Sequence, residues 1–213
     1  MRKKRLSGLR LDEFPGYYEY TSHARFALRP WSVHLYLDLF FAQPAEALGF
    51  KLMYSQIRHF PEFLLFLRSR RIRVVHLVRR NYLNTILSLE TALAQEQWHS
   101  DRRRESSRST SLVYLDPLST IRQITRLERQ HKSMEIVLRG FGIDYCQIIY
   151  EDLLTDLESS LVKTLRFLDL DDQNIPLQSR LQKLITKSHR ETIANYDELK
   201  MALSKTCYAA LLE

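Results

Sequence analysis

Two adjacent arginines, Arg79 and Arg80, close an apolar run, and Ser88 follows eight positions after the second. A guanidinium stays charged and offers a planar fork of donors that suits phosphate oxygens. If a helix follows Arg80, then Asn84, Ser88 and Thr91 share its side of the wheel, an arc about 80° wide at 3.6 residues per turn. Leu83, Ile86, Leu87, Leu93 and Ala94 form the neighbouring packing face, with Glu90 in its middle. A row of polar donors therefore borders a packed face. It begins at a helix N-terminus, where backbone N–H groups and the dipole already favour an anion. Arg80 and Ser88 lie roughly 12 Å apart along the axis, a gap that an extended arginine largely covers. The competing reading pairs Arg80 with a nearby carboxylate and leaves Ser88 simply exposed.

The elements needed to position these residues are also legible. Ile72 to Val78 is β-branched and almost uninterrupted, which predicts a strand buried on both faces, with His76 as a satisfied core histidine. A helix is expected from about Asn81 to Trp98. Pro117 opens a long helix to about Arg139, ended by Gly140-Phe141-Gly142. Tyr145 to Tyr150 predicts a second buried strand, parallel to the first, followed by a helix to Leu168 capped by Asp152 or Thr155. Glu151 and Asp152 are read as structural, their acidity suiting a helix start. A short strand is expected over Leu48 to Tyr54 and a helix from Pro61 to Arg70. Two further helices are expected at Gln178 to Lys187 and Tyr196 to Leu212. Residues 1–45 read as an irregular aromatic segment, and Ser100 to Ser111 as a polar loop. Strands alternating with helices predict a single α/β domain over 1–213, with ligands beyond the carboxyl ends of the strands.

Bulk properties narrow the class. Of the 213 residues, 45% are hydrophobic and 27% charged, enough to bury a core. The net charge of +7 favours an anionic partner without choosing among nucleotide, nucleic acid and acidic glycan. Two cysteines, Cys146 and Cys207, make neither a disulfide framework nor a zinc site and are expected to be reduced and mostly buried. The basic start "MRKKRLSG" is followed by no apolar stretch, and the longest apolar run, Leu35 to Ala42, contains Asp38. A cytoplasmic protein without a membrane span is the expectation. No nucleic-acid-binding module is recognisable.

An arginine closing a buried strand, with a serine eight residues later, resembles the 3′-phosphate motif of sulfotransferases that use 3′-phosphoadenosine 5′-phosphosulfate (PAPS). The stretches "GFKLMYSQ", "VVHLVRRNYLNTILSLETA" with "QWHS", "IIYEDLLTD" with "VKTLRFLDLD", and "ITKSHRETIANYDELKMAL" are similar to the bacterial carbohydrate-type branch of that family. The resemblance covers roughly residues 46–213. It implies a P-loop-NTPase-like three-layer fold, with helices flanking a central, mostly parallel sheet. It also implies sulfonate transfer from PAPS to a hydroxyl of a carbohydrate or small-molecule acceptor, leaving adenosine 3′,5′-bisphosphate, with no metal. Arg80 and Ser88 would hold the 3′-phosphate and Arg190 would add a nucleotide contact. Lys51 would act on the sulfonate or the bridging oxygen, where charge grows as the phosphate departs. Their bland alternatives are a surface lysine and a solvated turn at Lys187, His189 and Arg190. The acceptor needs a general base, and His23, His59 and Glu19 are not distinguished by spacing.

The family's first strand leads into a loop of the type Arg-Ser-Gly-Ser/Thr-Thr/Ser around the 5′-phosphosulfate. The nearest string here, Arg5-Leu6-Ser7-Gly8-Leu9-Arg10, lacks the small hydroxyl residues after Gly8. The first βα unit is therefore expected to be missing, degraded or supplied elsewhere. The alternative function is a truncated or non-catalytic relative that binds nucleotide or a partner without turnover. Self-association into a homo-oligomer stays open.

Overall fold

The computed structural model describes residues 29–45, 47–94, 112–170 and 188–212. The chain divides into two compact units, one built from residues up to Arg73 with Val137–Asp144, the other from Val74–Ile136 with Tyr145 onward.

In the first unit, helix α1 spans Arg29–Phe41, so part of the stretch expected to be irregular is helical. Its ordering comes from Val33 and Leu37, four apart on one face and both buried. They pack with Phe63 and Phe66 of α3 (Glu62–Ser69), joined by Phe41, Leu52 and Phe60. The expected strand at Leu48 to Tyr54 does not form: residues up to Met53 are irregular and α2 spans Tyr54–His59. No strand of the described residues pairs with it, and the Gln56 side chain instead accepts from the Met53 N–H at 2.7 Å, starting a helix.

The second unit holds a two-stranded parallel sheet, β1 (Val74–Val78) beside β2 (Tyr145–Ile149), as the two apolar runs predict. The register pairs Val75 with Cys146 and Leu77 with Ile148. Directly opposed residues share a face, and on that face the β2 pair is buried while Val75 and Leu77 are exposed. The expectation of burial on both faces thus fails for β1, because among the described residues that face of the sheet is covered at β2 and not at β1. His76 and Val78, on the other face, are buried.

Helix α4 (Tyr82–Ala94) follows β1, and α5 (Pro117–Gly140) precedes β2. Asp116 caps α5 by accepting from the Ser119 N–H at 2.7 Å. The core joins Leu83, Ile86 and Leu87 of α4 to Ile124 of α5 and to Leu199 and Leu203 of α9 (Tyr196–Ser204). Val113 and Ile193, linked by a parallel bridge, complete it. Leu93 is exposed, against expectation, while Thr91 and Ala92 are buried: the packing face is rotated toward Thr91.

After β2 the expected single helix is broken into α6 (Tyr150–Thr155) and α7 (Leu157–Leu168). The cap is neither Asp152 nor Thr155 but Asp156, whose carboxylate accepts from the Ser159 N–H at 3.0 Å. The final expected helix also breaks, into α9 and a 3-10 turn at Ala209–Leu212. Thr206 diverts the chain there, its hydroxyl donating to the Leu203 carbonyl and accepting from the Tyr208 N–H. A four-residue helix, α8, spans His189–Thr192. The helix expected at 178–187 lies outside the described residues. Cys146 is buried as expected, whereas Cys207 is exposed. No helix among the described residues is long and apolar enough to cross a membrane.

Candidate functional site

Both arginines of the opening motif sit where β1 gives way to α4, and the residues that end β2 engage them in order. Arg79 lies over the Tyr150 ring, 4.0 Å from its centroid. Glu151 spreads its carboxylate across the next two backbone N–H groups: Arg80 donates to Oε2 at 3.0 Å and Asn81 to Oε1 at 3.1 Å. Asp152 lies 3.7 Å from the Arg80 guanidinium, with both side chains more than half exposed. Three consecutive residues of one strand end thus hold three consecutive residues of the other.

Much of the N-terminus of α4 is consequently satisfied from within. Besides the two N–H groups on Glu151, the Asn84 N–H donates to the Asn81 side chain at 3.0 Å and the Tyr82 N–H to the Arg80 carbonyl at 3.1 Å. The expectation that this helix end stands ready for a bound anion is corrected: the anion already there is Glu151. Burial pushes the Glu151 carboxyl up, but the N–H groups of Arg80 and Asn81, with the Arg79 charge, outweigh it and hold it below the ordinary glutamate range. The Arg80 guanidinium itself remains exposed, and among the described residues its one ion pair is the long contact with Asp152.

Farther along the arc, Asn84 meets His189: its side-chain amide lies 2.8 Å from Nε2, while Nδ1 donates to the Leu212 carbonyl at 3.3 Å. Ser88 is half-buried and makes no side-chain hydrogen bond among the described residues. Thr91 leaves the arc: it is buried, and its hydroxyl has no hydrogen-bond partner among the described residues. Asn81 fastens the corner further by donating to the Leu211 carbonyl at 2.9 Å.

The face of the sheet carrying His76 bears a second polar cluster. His131 of α5 bridges the Tyr82 hydroxyl at 3.0 Å and the Gln147 amide at 2.9 Å, and its ring centroid is 5.4 Å from that of His76. Burial, then the neighbouring His131, lowers the His76 pKa, so it stays neutral in the core. Burial, then Glu128, raises that of Tyr82. Tyr208 donates to Glu128 at 2.8 Å and Lys132 pairs with it at 2.7 Å. These contacts tie α4 to α5, and α5 to Tyr208 just before the 3-10 turn.

Of the other predicted residues, Arg190 turns toward α9, pairing with Asp197 at 3.2 Å and lying 5.5 Å from the Tyr196 ring centroid. Its neighbour His189, not Arg190, is the member of the basic cluster that reaches the arc. Lys51 belongs to the first unit and is exposed on its irregular segment. His59, in the same unit, donates from Nδ1 to the Ser55 carbonyl at 2.7 Å. Glu90 is half-buried. His23, Glu19, Lys187, the Arg5–Arg10 string and the arginines at 102–108 lie outside the described residues. An open groove of about 540 Å³ runs beside α7, lined by Glu158, Ser159, Val162, Lys163 and Arg166, and none of the predicted residues borders it. Among the described residues no cluster of His, Cys, Asp and Glu gathers to hold a metal.

Sequence reasoning treated Glu151 as a cap for its own helix. It missed that the carboxylate serves α4, some seventy residues away in the chain. The order Tyr-Glu-Asp directly after a strand was the available signal. Compared with known proteins, the chain matches no family model, no curated protein and no solved structure.

Proposed function

We propose that the β1–α4 corner binds the 3′-phosphate of a nucleotide, and that the chain is a PAPS-dependent sulfotransferase with a P-loop-like three-layer architecture. The observation that carries this reading is the exposed Arg80 guanidinium at the carboxyl end of a parallel strand pair, with Asn84 and Ser88 following on the same side of α4. Ligands of α/β sheets bind at such strand ends. A phosphate dianion offers Arg80 a stronger, bidentate partner than the long contact to Asp152. Ser88 supplies a hydroxyl that no described residue occupies. In the transfer, an acceptor oxygen attacks sulfur as its proton passes to a base, the sulfur–oxygen bond to the 5′-phosphate breaks, and adenosine 3′,5′-bisphosphate leaves. Arg190 is assigned to the nucleotide. The acceptor is a carbohydrate or small hydroxylated molecule, and the setting cytoplasmic.

A second reading, nucleotide binding without turnover, is favoured by Lys51, which lies exposed on an irregular segment rather than fixed at a strand end. A lysine free to move stabilises developing charge poorly.

Calorimetric titration with adenosine 3′,5′-bisphosphate tests the shared step. Wild type should bind weakly, and Arg80→Ala should lose on the order of 2 kcal/mol, a charge-assisted contact. Equal binding by the two proteins would refute the assignment of Arg80. Transfer of labelled sulfonate from PAPS to sugar acceptors then separates the two readings, slow or absent turnover being expected.

A further inference from the structure

The two carboxylates at the Arg80 corner differ in how they are held, and that difference assigns them opposite roles. Glu151 accepts two backbone N–H groups, one on each oxygen, at 3.0 and 3.1 Å, and is half-buried. Asp152 touches Arg80 through a single 3.7 Å approach between side chains that are 68% and 56% exposed. A bidentate acceptor on amide donors is fixed by geometry that cannot relax without moving the backbone. A long, exposed ion pair is exchangeable.

We propose that Glu151 is a permanent internal anion and the positioning residue for Arg80, whereas Asp152 is the exchangeable counter-ion whose place a ligand phosphate takes. This deepens the phosphate-site reading and rests on it for the identity of the ligand. It makes a specific claim about recognition. Because Glu151 and the Asn81 side chain consume the N–H groups of Arg80, Asn81 and Asn84, the incoming phosphate is held chiefly by side chains, the Arg80 guanidinium and the Ser88 hydroxyl, rather than by a cradle of those amides. It also reverses the naive electrostatic expectation for Glu151. Removing a negative charge next to a phosphate site ordinarily tightens binding. Here removal frees the backbone that aims Arg80, and the loss of aim outweighs the relief of repulsion.

The test uses the full chain and adenosine 3′,5′-bisphosphate as probe, in parallel titrations of wild type, Glu151→Gln and Asp152→Asn. Both substitutions delete one negative charge, so charge alone predicts that both bind tighter. The proposal expects Asp152→Asn to bind about two- to fivefold tighter, the scale of an exposed ion pair. It expects Glu151→Gln to bind about tenfold weaker, because the glutamine amide turns one of its two contacts into a donor facing a donor. Tighter binding by Glu151→Gln overturns the positioning role, and weaker binding by Asp152→Asn overturns the exchangeable one.

A measurement on unmodified protein keeps the outcome decisive even if Glu151→Gln does not fold. The amide protons of Arg80 and Asn81 should resonate downfield and move together when acid protonates Glu151. Its charged or titratable neighbours are Arg79, Arg80, Asp152 and Tyr82. Amides that titrate separately, or not at all, refute the clamp. Failure of wild type to bind the bisphosphate with normal amide titration instead overturns the phosphate reading and leaves the clamp standing.

Discussion

Replacing Asn81 should reveal how firmly the corner is built. Its side chain does two jobs: Oδ1 accepts from the Asn84 N–H at 3.0 Å, capping α4, and Nδ2 donates to the Leu211 carbonyl at 2.9 Å. An asparagine cap is worth about 1 kcal/mol over alanine. A half-buried hydrogen bond to a carbonyl adds about 1 kcal/mol more. Asn81→Ala should therefore cost roughly 2 kcal/mol, and Asn81→Ser, which keeps a cap but cannot reach Leu211, about half of that. Asn81→Asp also keeps the cap, yet it sets a second carboxylate beside Glu151 and opposite a carbonyl, and should cost at least as much as serine. Urea unfolding followed by circular dichroism gives the totals, and native-state amide exchange should locate the loss in α4. If serine and alanine destabilise equally, the Leu211 contact contributes everything and the cap nothing. If alanine is neutral, the corner does not depend on this residue and the reasoning fails.

Three helices end in the same left-handed turn, at Arg71 (φ 52°), Gly142 (φ 60°) and Asp169 (φ 57°), each closed by a paired set of backbone hydrogen bonds to the preceding turn. Arg71→Gly should gain up to about 1 kcal/mol, and Gly142→Ala should lose about 1 kcal/mol, as thermal melts would read. Only the backbone sets the last cost, since an added Cβ meets Arg68 Nε at an ordinary 3.6 Å. Acid should weaken the fold through Glu151 and Asp156, whose carboxyls sit below their ordinary ranges. A depressed folded-state pKa stabilises above the unfolded value and is lost as pH falls through the folded one. Stability should accordingly decline below about pH 4.5, and Glu151→Gln should flatten that decline.

What could be read from the sequence was what local pattern controls. Two β-branched runs separated by helical periodicity gave a parallel strand pair, and Pro117 with Gly142 bracketed α5 within a residue or two. Apolar runs do not reveal coverage, so the exposure of Val75 and Leu77 was invisible: it depends on what packs over the sheet. "LGFKLMY" has strand-like composition, but a strand needs a partner, and a side-chain bond from Gln56 decided otherwise. The breaks at Asp156 and Thr206 turn on single side chains competing for backbone groups. At the site, the sequence placed Arg80 at the end of a strand and Ser88 on the helix that follows, and both lie there. The contacts of Glu151 with Arg80 and of His189 with Asn84 were not, because each spans a sequence separation that no local pattern encodes.

The latch between the two strand ends also has a kinetic meaning. Arg80 and Glu151 are 71 residues apart, and every rung of the ladder from Val74–Tyr145 to Val78–Ile149 spans the same interval. Such pairings come late, since closing so long a segment costs chain entropy before any contact rewards it. Helix α4, which needs only neighbours in sequence to begin, has no such wait. Its first turn carries unsatisfied N–H groups until Glu151 arrives, so the arginine corner waits on a long-range closure of the second unit. A newly made chain would hold α4 before it holds Arg80 in place, and the corner's competence would track the docking of β2 rather than the formation of the helix that bears it.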